Sequence, residues 1–171
     1  MQKKQKNKII NKPLWAPWRI QYILSDKDTN CFLCDRKKDL GREDDFMVIA
    51  RGKNTFVMLN AYPYNSGHLM VAPYEHIGDI SKLPKHTLHE IMEMCTAAKN
   101  TLEKAMKPEG FNIGFNLGRS AGAGLEEHIH MHIVPRWGGD TNFMPVIDNT
   151  RVMPQALKDT AKLLKDNFDF L

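Results

Sequence analysis

The sequence contains no apolar run that approaches the ~18 residues of a membrane-spanning helix. Its N-terminal segment also lacks the apolar core of a secretory signal peptide. Internal repeats are absent, and low complexity is confined to a lysine-rich tip. We therefore expect a cytoplasmic protein without a membrane partner, whose 42% hydrophobic content is sufficient for a single core.

Cysteine is scarce, with 3 in the 171 residues, and two of them form a C-x-x-C pair, Cys31 and Cys34. In a reducing compartment such a pair indicates metal or redox chemistry more than a structural disulfide. A thioredoxin-like pair would begin a helix after a strand, and neither element is evident here. Zinc is therefore the leading interpretation, with two more ligands to come from histidines, and free thiols are the alternative.

Charge of one sign is also limited, since the formal net charge is +4 and the isoelectric point is near 8.9. This balance suits an anionic ligand but lacks the clustered basic surface typical of nucleic-acid binding. We expect residues 1–30 to consist of a solvated basic tip followed by an extended arm that Trp15 and Trp18 pin in place. A basic arm that binds nucleic acid is the alternative for the tip. The excess charge is more than covered by the lysines of the tip: Lys3, Lys4, Lys6, Lys8 and Lys12.

The densest chemical pattern is E-E-H-I-H-M-H-I-V-P-R-W at residues 126–137. His128, His130 and His132 alternate with apolar residues, so on a β-strand the three imidazoles share one face and the apolar side chains the other. Solvated histidines, a metal site and catalysis are all compatible with this array. Catalysis is favoured because neutral imidazole is a nucleophile near pH 7 and a neighbouring imidazole can protonate a leaving group. A phosphoryl substrate would suit this array, because its anionic oxygens can accept hydrogen bonds from several N–H donors at once.

The rest of the pattern predicts an α+β fold with a mainly antiparallel sheet. Pro84 should open a long helix to about Lys107, with Met92 and Cys95 on its core face. Glycines in residues 118–124 would let backbone N–H groups approach an anion just before the histidines. The other predicted elements are strands at 46–50, 55–59, 68–73 and 111–117, and a short amphipathic helix at 155–167.

Two stretches, His128-Ile-His-Met-His-Ile-Val-Pro-Arg136 and Gly67-His68-Leu-Met-Val-Ala-Pro-Tyr-Glu-His76, resemble the histidine triad (HIT) family of nucleotide hydrolases and transferases. The resemblance divides the chain into an arm (1–30), a HIT domain (31–145) and a C-terminal helix on the same domain (146–171). Three further segments resemble the family's diadenosine tetraphosphate phosphorylase branch: residues 14–19, 116–124 and 137–144.

The resemblance implies a HIT-like homodimer in which both subunits contribute to one antiparallel sheet that holds an adenine nucleotide or dinucleotide. His130 would attack the α-phosphorus and form a covalent nucleotidyl-histidine. His132 and His68 would line the phosphate and leaving-group oxygens, and His128 would support His130 through its carbonyl or side chain. The implied substrate-binding residues are Asn60, Asn116, Gly122 and Gly124.

Zinc is implied as well, because some bacterial members bind it through residues that correspond to Cys31, Cys34, His76 and His128. Two sulfur and two nitrogen ligands would make a closed, structural site. Zinc would then hold His128 and stiffen the segment that carries His130.

One departure from the hydrolytic members bears on the reaction. They carry Gln-Ser or Gln-Thr where this chain has Gly124 and Leu125. Without those polar side chains the second acceptor could be inorganic phosphate instead of water, which favours phosphorolysis of diadenosine tetraphosphate. The alternatives are a dinucleoside polyphosphate or adenosine phosphoramidate hydrolase and, in another class, a zinc-dependent module that binds nucleotide or nucleic acid.

Overall fold

The computed structural model describes residues 31–36, 47–140 and 155–170. The arm and basic tip predicted for residues 1–30 and the start of the strand predicted at 46 therefore lie outside the described residues. The helices and strands are α1 Phe32–Arg36, β1 Val48–Arg51, β2 Thr55–Leu59, β3 Leu69–Pro73, α2 Lys85–Met106, β4 Gly110–Phe115, β5 Met131–Arg136 and α3 Leu157–Asn167.

The strands form one antiparallel sheet in the order β1-β2-β3-β5-β4. Every residue of β2 and β3 is buried, which explains why their sequences are apolar runs. Since β5 lies between β3 and β4, His132 pairs with Met70 on one side and with Gly114 on the other. The predicted α+β class and antiparallel sheet are confirmed, and an interior strand of the sheet carries the last histidine of the array.

The long helix α2 covers the sheet and matches the prediction closely. It is capped by Pro84 at its start and by Lys107 at its end, where Lys107 adopts a left-handed conformation with φ of 50°. Cys95 is buried in the core as predicted, but Met92 is 50% exposed, so its assignment to the core face was wrong. Met92 follows the buried Ile91 directly, and one residue rotates a helix by about 100°, which turns the side chain to solvent.

A buried carboxylate fastens α2 to the turn between β1 and β2. Glu90 accepts hydrogen bonds from the backbone N–H groups of Asn54 and Thr55, at 2.8 and 3.0 Å, and from both of their side chains. Burial by itself would raise the pKa of Glu90, but these hydrogen bonds outweigh it and lower the pKa. Gly52 is required here because a Cβ would collide with Glu90 Oε1.

The C-terminal helix α3 packs on the hydrophobic core. Its Ala161 and Leu164 are fully buried, and the helix contacts both α2 and β1. Among the helices in the described parts of the chain, none combines the length and the apolar character needed to cross a membrane.

Candidate active site

The histidine segment enters the sheet later than its alternating pattern predicted. Strand β5 begins at Met131, so His132 lies in the sheet, whereas His128 and His130 belong to the segment just before it. The backbone N–H of Ile129 donates to the carbonyl of Ile77 at 2.7 Å and fixes this approach. The expectation that the intervening apolar side chains enter the core holds for Ile129, Met131 and Ile133.

The tautomer of His130 is set by the backbone. His130 Nδ1–H donates to the carbonyl oxygen of His128 at 2.9 Å, and a carbonyl can only accept. In the neutral ring Nε2 therefore carries the lone pair. The His130 ring is only 8% exposed and lines a cavity, so its nucleophilic nitrogen is held in a largely desolvated position.

His68 and His132 form a second hydrogen-bonded chain with defined polarity. The backbone N–H of Tyr64 donates to His68 Nδ1 at 3.0 Å, so the neutral ring of His68 carries its proton on Nε2. His68 Nε2–H then donates to His132 Nδ1 at 2.9 Å, which leaves the proton of His132 on Nε2. That nitrogen lies 3.4 Å from the side-chain nitrogen Nδ2 of Asn116, so the amide must turn over by 180° for its oxygen to accept the proton of His132 Nε2.

Ring contacts reinforce the arrangement. The Tyr64 ring stacks on His68, with centroids 5.0 Å apart and planes 16° from parallel. The rings of His130 and His132 meet edge to face at a centroid distance of 4.8 Å. The nucleophile candidate and the proton-bearing His132 therefore lie side by side.

These histidines border a cavity of about 270 Å³. Its lining combines the imidazoles of His130 and His132 and two glycines of the loop 118–124 with apolar side chains that include three methionines. Gly118 and Gly122 adopt φ values of 78° and 87°, which explains the glycines of this loop. The lining residues are Phe32, Arg36, Met47, Met58, Asn60, Ala61, Tyr62, Met70, Gly122, Gly124, Leu125, His130 and His132.

The four residues expected to bind zinc lie together beside this cavity. Cys31 Sγ is 3.3 Å from His128 Nδ1, and Cys34 Sγ is 3.3 Å from His76 Nδ1 and 3.6 Å from His128 Nδ1. All four ligand atoms lie within 4.8 Å of one another. Tetrahedral zinc, with bonds of about 2.3 Å to sulfur and about 2.0 Å to nitrogen, separates its ligand atoms by roughly 3.4–3.8 Å. The donor set therefore fits zinc.

The surroundings of this group agree with metal binding. His128 Nε2–H donates to the carbonyl of Pro73 at 2.9 Å, so the lone pair on Nδ1 faces the two sulfur atoms. His76 Nε2 lies 3.9 Å from a carboxylate oxygen of Glu127. Burial raises the pKa of the Cys31 thiol, so that thiol is protonated at neutral pH without a metal, and metal binding would release its proton.

The residues proposed from the sequence thus form two groups that share His128. Its imidazole belongs with the cysteines, whereas its carbonyl holds His130. The first group consists of Cys31, Cys34, His76 and His128. The second group, around the cavity, consists of His68, His130, His132, Asn60, Asn116, Gly122 and Gly124.

Sequence reasoning missed the residues that fix the loop before His68. Asn65 donates from its amide to the carbonyl of Pro135 at 3.0 Å and to Asp140 Oδ2 at 2.8 Å. Asp140 also receives Arg136 Nε–H at 2.6 Å, and this hydrogen bond raises the pKa of Arg136. The network joins the loop carrying Tyr64 to the end of β5. No pattern in the sequence pairs residues 75 positions apart in this way.

Phe32 and Arg36 were also missed as cavity residues. The two side chains are four residues apart, a spacing that places them on one face only if the segment is a helix. The sequence pattern did not indicate that this short segment is helical.

Comparison with known proteins agrees with the fold. A family model for the HIT domain matches residues 42–139. A Mycobacterium tuberculosis protein named AP-4-A phosphorylase is 39% identical over 158 residues, which cover 88% of this chain and 81% of that protein. The Schizosaccharomyces pombe bis(5'-nucleosyl)-tetraphosphatase (asymmetrical) is 28% identical over 93 residues, covering 54% of this chain and 50% of that protein.

Among solved structures, a Zn-bound histidine triad family protein from Mycobacterium smegmatis has the same fold. Its TM-score is 0.63 at 22% identity, with 81% of this chain and 92% of that chain covered. Together with the family match over residues 42–139 and the identity to the M. tuberculosis relative, this establishes that the chain belongs to the HIT-domain (histidine triad) family.

Proposed function

We propose that this protein is an enzyme that cleaves diadenosine tetraphosphate by phosphorolysis, releasing ATP and ADP. The observation that carries the proposal is the hydrogen bond from His130 Nδ1–H to the His128 carbonyl, which leaves the lone pair on Nε2 of a ring that lines the cavity. The similarity to a protein named AP-4-A phosphorylase, at 39% identity, supports this substrate class.

In the first step His130 Nε2 attacks the α-phosphorus of one adenosine. An Nε2–P bond forms, the bond from that phosphorus to the bridging oxygen breaks, and ATP leaves with the electron pair. His132 Nε2–H is placed to donate to the leaving oxygen, because His68 holds the other nitrogen of that ring as an acceptor. The product left on the protein is adenylyl-His130.

In the second step an oxygen of inorganic phosphate attacks the same phosphorus, the P–N bond breaks, and ADP is released with His130 restored. Gly124 and Leu125 both line the cavity that holds His130. Neither side chain can orient a water molecule, and the absence of a large polar group at Gly124 leaves space for a phosphate. This supports phosphate as the acceptor.

The nucleoside of the adenylyl group would lie against the apolar side chains of the cavity. A volume of about 270 Å³ lies just under the ~300–1,000 Å³ typical of small-molecule sites and suits one nucleoside better than a whole dinucleotide. Met47, Met58 and Met70 offer polarizable surfaces to an aromatic base, and Asn60 offers an amide to the ribose. Gly122 and Gly124 allow phosphate oxygens to approach the backbone.

Zinc would be held by Cys31, Cys34, His76 and His128, the group whose atomic distances fit tetrahedral coordination. Four protein ligands close the site, so the metal would supply structural rigidity and not a reacting group. The role of the chain itself is to present the His128 carbonyl to His130 in a fixed position.

A homodimer is part of the proposal. Within the described residues β4 is an edge strand, and Ile113 on it is 44% exposed. Pairing of two β4 strands would extend the sheet across both subunits and cover that side chain. Light scattering of the purified protein should give twice the chain mass, and a monomer would contradict this part of the proposal.

A hydrolase is the second candidate, and the similarity to an S. pombe tetraphosphatase favours it. Water would then replace phosphate in the second step and release AMP in place of ADP. The two reactions share the same first step, so only the acceptor separates them.

Product analysis by chromatography tests the proposal. The purified protein is incubated with diadenosine tetraphosphate in phosphate-free buffer and in the same buffer with inorganic phosphate added. ADP and ATP that form only with phosphate are the expected products. AMP and ATP formed at the same rate in both buffers would establish the hydrolase and contradict phosphorolysis.

A further inference from the structure

Helix α1 contributes to both residue groups at once. Its preceding residue, Cys31, and its own Cys34 supply the sulfur atoms of the zinc-fitting group. Phe32 and Arg36, one helical turn apart, line the cavity that holds His130. We infer that α1 is a positioning element for nucleotide binding, in which the metal held by the two cysteines fixes Phe32 and Arg36 against the nucleotide.

The inference follows first from the length of the helix. Isolated helices shorter than about 12–15 residues are marginal in water, and α1 has 5. It must therefore be held by tertiary contacts. Leu33 is fully buried and provides one anchor, and the two cysteines provide the other through His76 and His128. Without a metal the second anchor is reduced to weak contacts between thiols and imidazoles.

Helix α1 contributes a charge and an aromatic ring to the cavity. Among the described lining residues, Arg36 is the only Arg, Lys, Asp or Glu, so it supplies the formal charge in a cavity otherwise lined by uncharged side chains and histidines. A guanidinium offers donors in a rigid fork to the acceptor atoms of a nucleotide. Phe32 offers an aromatic face to the base. Both contacts require α1 to be in a defined place.

The metal thus acts on the nucleotide by two separate routes. Through the carbonyl of His128 it holds the nucleophile, which affects the chemical step. Through α1 it holds the wall of the cavity, which affects binding before any bond changes. The second route rests on the proposed nucleotide site, but it makes its own prediction, since binding of a product nucleotide involves no chemistry.

The test uses AMP as the probe and the His130→Asn variant, in which no adenylyl group can form. AMP affinity is measured by calorimetry for metal-loaded protein and for protein stripped with a chelator, with metal content determined in both. Stripping should weaken AMP binding roughly 10-fold, because AMP must then order α1 and two side chains itself. Equal affinity in the two forms would overturn the inference. No AMP binding by the loaded protein would instead contradict the proposed function.

Thermodynamic reciprocity provides a measurement that does not depend on the stripped protein staying folded. If metal strengthens AMP binding by some factor, saturating AMP strengthens metal binding by the same factor. Zinc affinity is therefore measured by chelator competition with and without saturating AMP, in the His130→Asn background. A gain of roughly 10-fold is expected, from the same ordering of α1 and its side chains.

Two matched substitutions assign the effect to α1. With Arg36→Ala or Phe32→Ala the gain in zinc affinity at saturating AMP should shrink towards 1-fold. With Asn60→Ala, which lines the same cavity from outside α1, AMP should bind more weakly but the gain at saturation should remain. A gain that survives in the α1 variants, or disappears in Asn60→Ala, would refute the role assigned to α1.

Discussion

The two histidine groups of this protein use opposite ring nitrogens. In the group with the cysteines, the Pro73 carbonyl accepts a hydrogen bond from His128 Nε2–H, so the lone pair of that ring lies on Nδ1, the nitrogen that faces the sulfur atoms. At the cavity, the His128 carbonyl accepts a hydrogen bond from His130 Nδ1–H, so the lone pair of that ring lies on Nε2, the nucleophile of the proposed reaction. The residue type is the same in both places. The difference shows that the position of one backbone carbonyl decides which nitrogen of an imidazole carries the lone pair.

Removing the nucleophilic nitrogen should have the largest effect. An asparagine at position 130 can keep a donor towards the His128 carbonyl but has no lone pair that can form a P–N bond. We expect His130→Asn to lower kcat/KM on diadenosine tetraphosphate by on the order of 10⁴-fold or more. Steady-state kinetics measures this, and a circular dichroism spectrum like that of the wild type serves as the control. Turnover within tenfold of the wild type would rule out His130 as the nucleophile.

Breaking the hydrogen bond that orients His132 should have the next largest effect. His68→Ala removes the donor to His132 Nδ1, so the proton of that ring is no longer fixed on Nε2. We expect kcat to fall about 10²-fold, the lower end of the usual contribution of general acid catalysis.

A substrate with a better leaving group provides the control for that loss. If His132 protonates the leaving oxygen, a substrate that needs no proton should lose much less activity in His68→Ala. An equal loss on both substrates would mean that His68 acts in some other way.

Breaking the metal group should have a smaller effect on catalysis. Cys34→Ser weakens one ligand and should lower metal content and reduce kcat by roughly 10-fold, since the nucleophile is then held less firmly. Cys95→Ala is the matched control, because Cys95 is buried in the core and stands apart from the zinc-fitting group. Atomic absorption and kinetics on both variants measure the difference. Equal metal loss in the two variants would contradict the assigned ligands.

The smallest effect on activity is expected at Glu90, whose hydrogen bonds go to Asn54 and Thr55 and not to either histidine group. Glu90→Gln leaves kcat unchanged but lowers the free energy of unfolding at pH 7 by about 1–3 kcal/mol, because an amide cannot accept all the hydrogen bonds of the carboxylate. Urea unfolding measures this loss. A large fall in kcat with unchanged stability would show that this turn communicates with the cavity.

The stabilising contribution of Glu90 should also decrease as the pH is lowered. Its pKa in the folded protein lies below the ordinary value of 4.5, so its stabilising contribution is present above that value and is lost as the pH falls through the folded pKa. The difference in stability between wild type and Glu90→Gln should therefore shrink below about pH 4. A difference that grows on acidification would contradict the lowered pKa.

Part of the difference between the two histidine groups could be predicted from the sequence. Alternation placed Ile129 and Met131 in the core, and the resemblance to the family named all four residues of the zinc-fitting group. The ring tautomers could not be predicted, because they depend on carbonyls such as that of Pro73, which is 55 residues from His128. The place of Arg36 was equally hidden, since it depends on how a helix of 5 residues docks on a distant sheet.

The position of β5 in the sheet has a consequence for how the protein folds. Strands β1, β2 and β3 are consecutive neighbours and can pair as soon as they are made, but β5 must insert between β3 and β4, with Leu69 pairing to Ile133. Such non-local pairing costs loop entropy and forms late. Because β5 also carries His132 and follows His130 directly, a chain in which β5 has not yet inserted lacks the arrangement of these two proposed catalytic residues. Catalytic competence therefore reports completion of the fold.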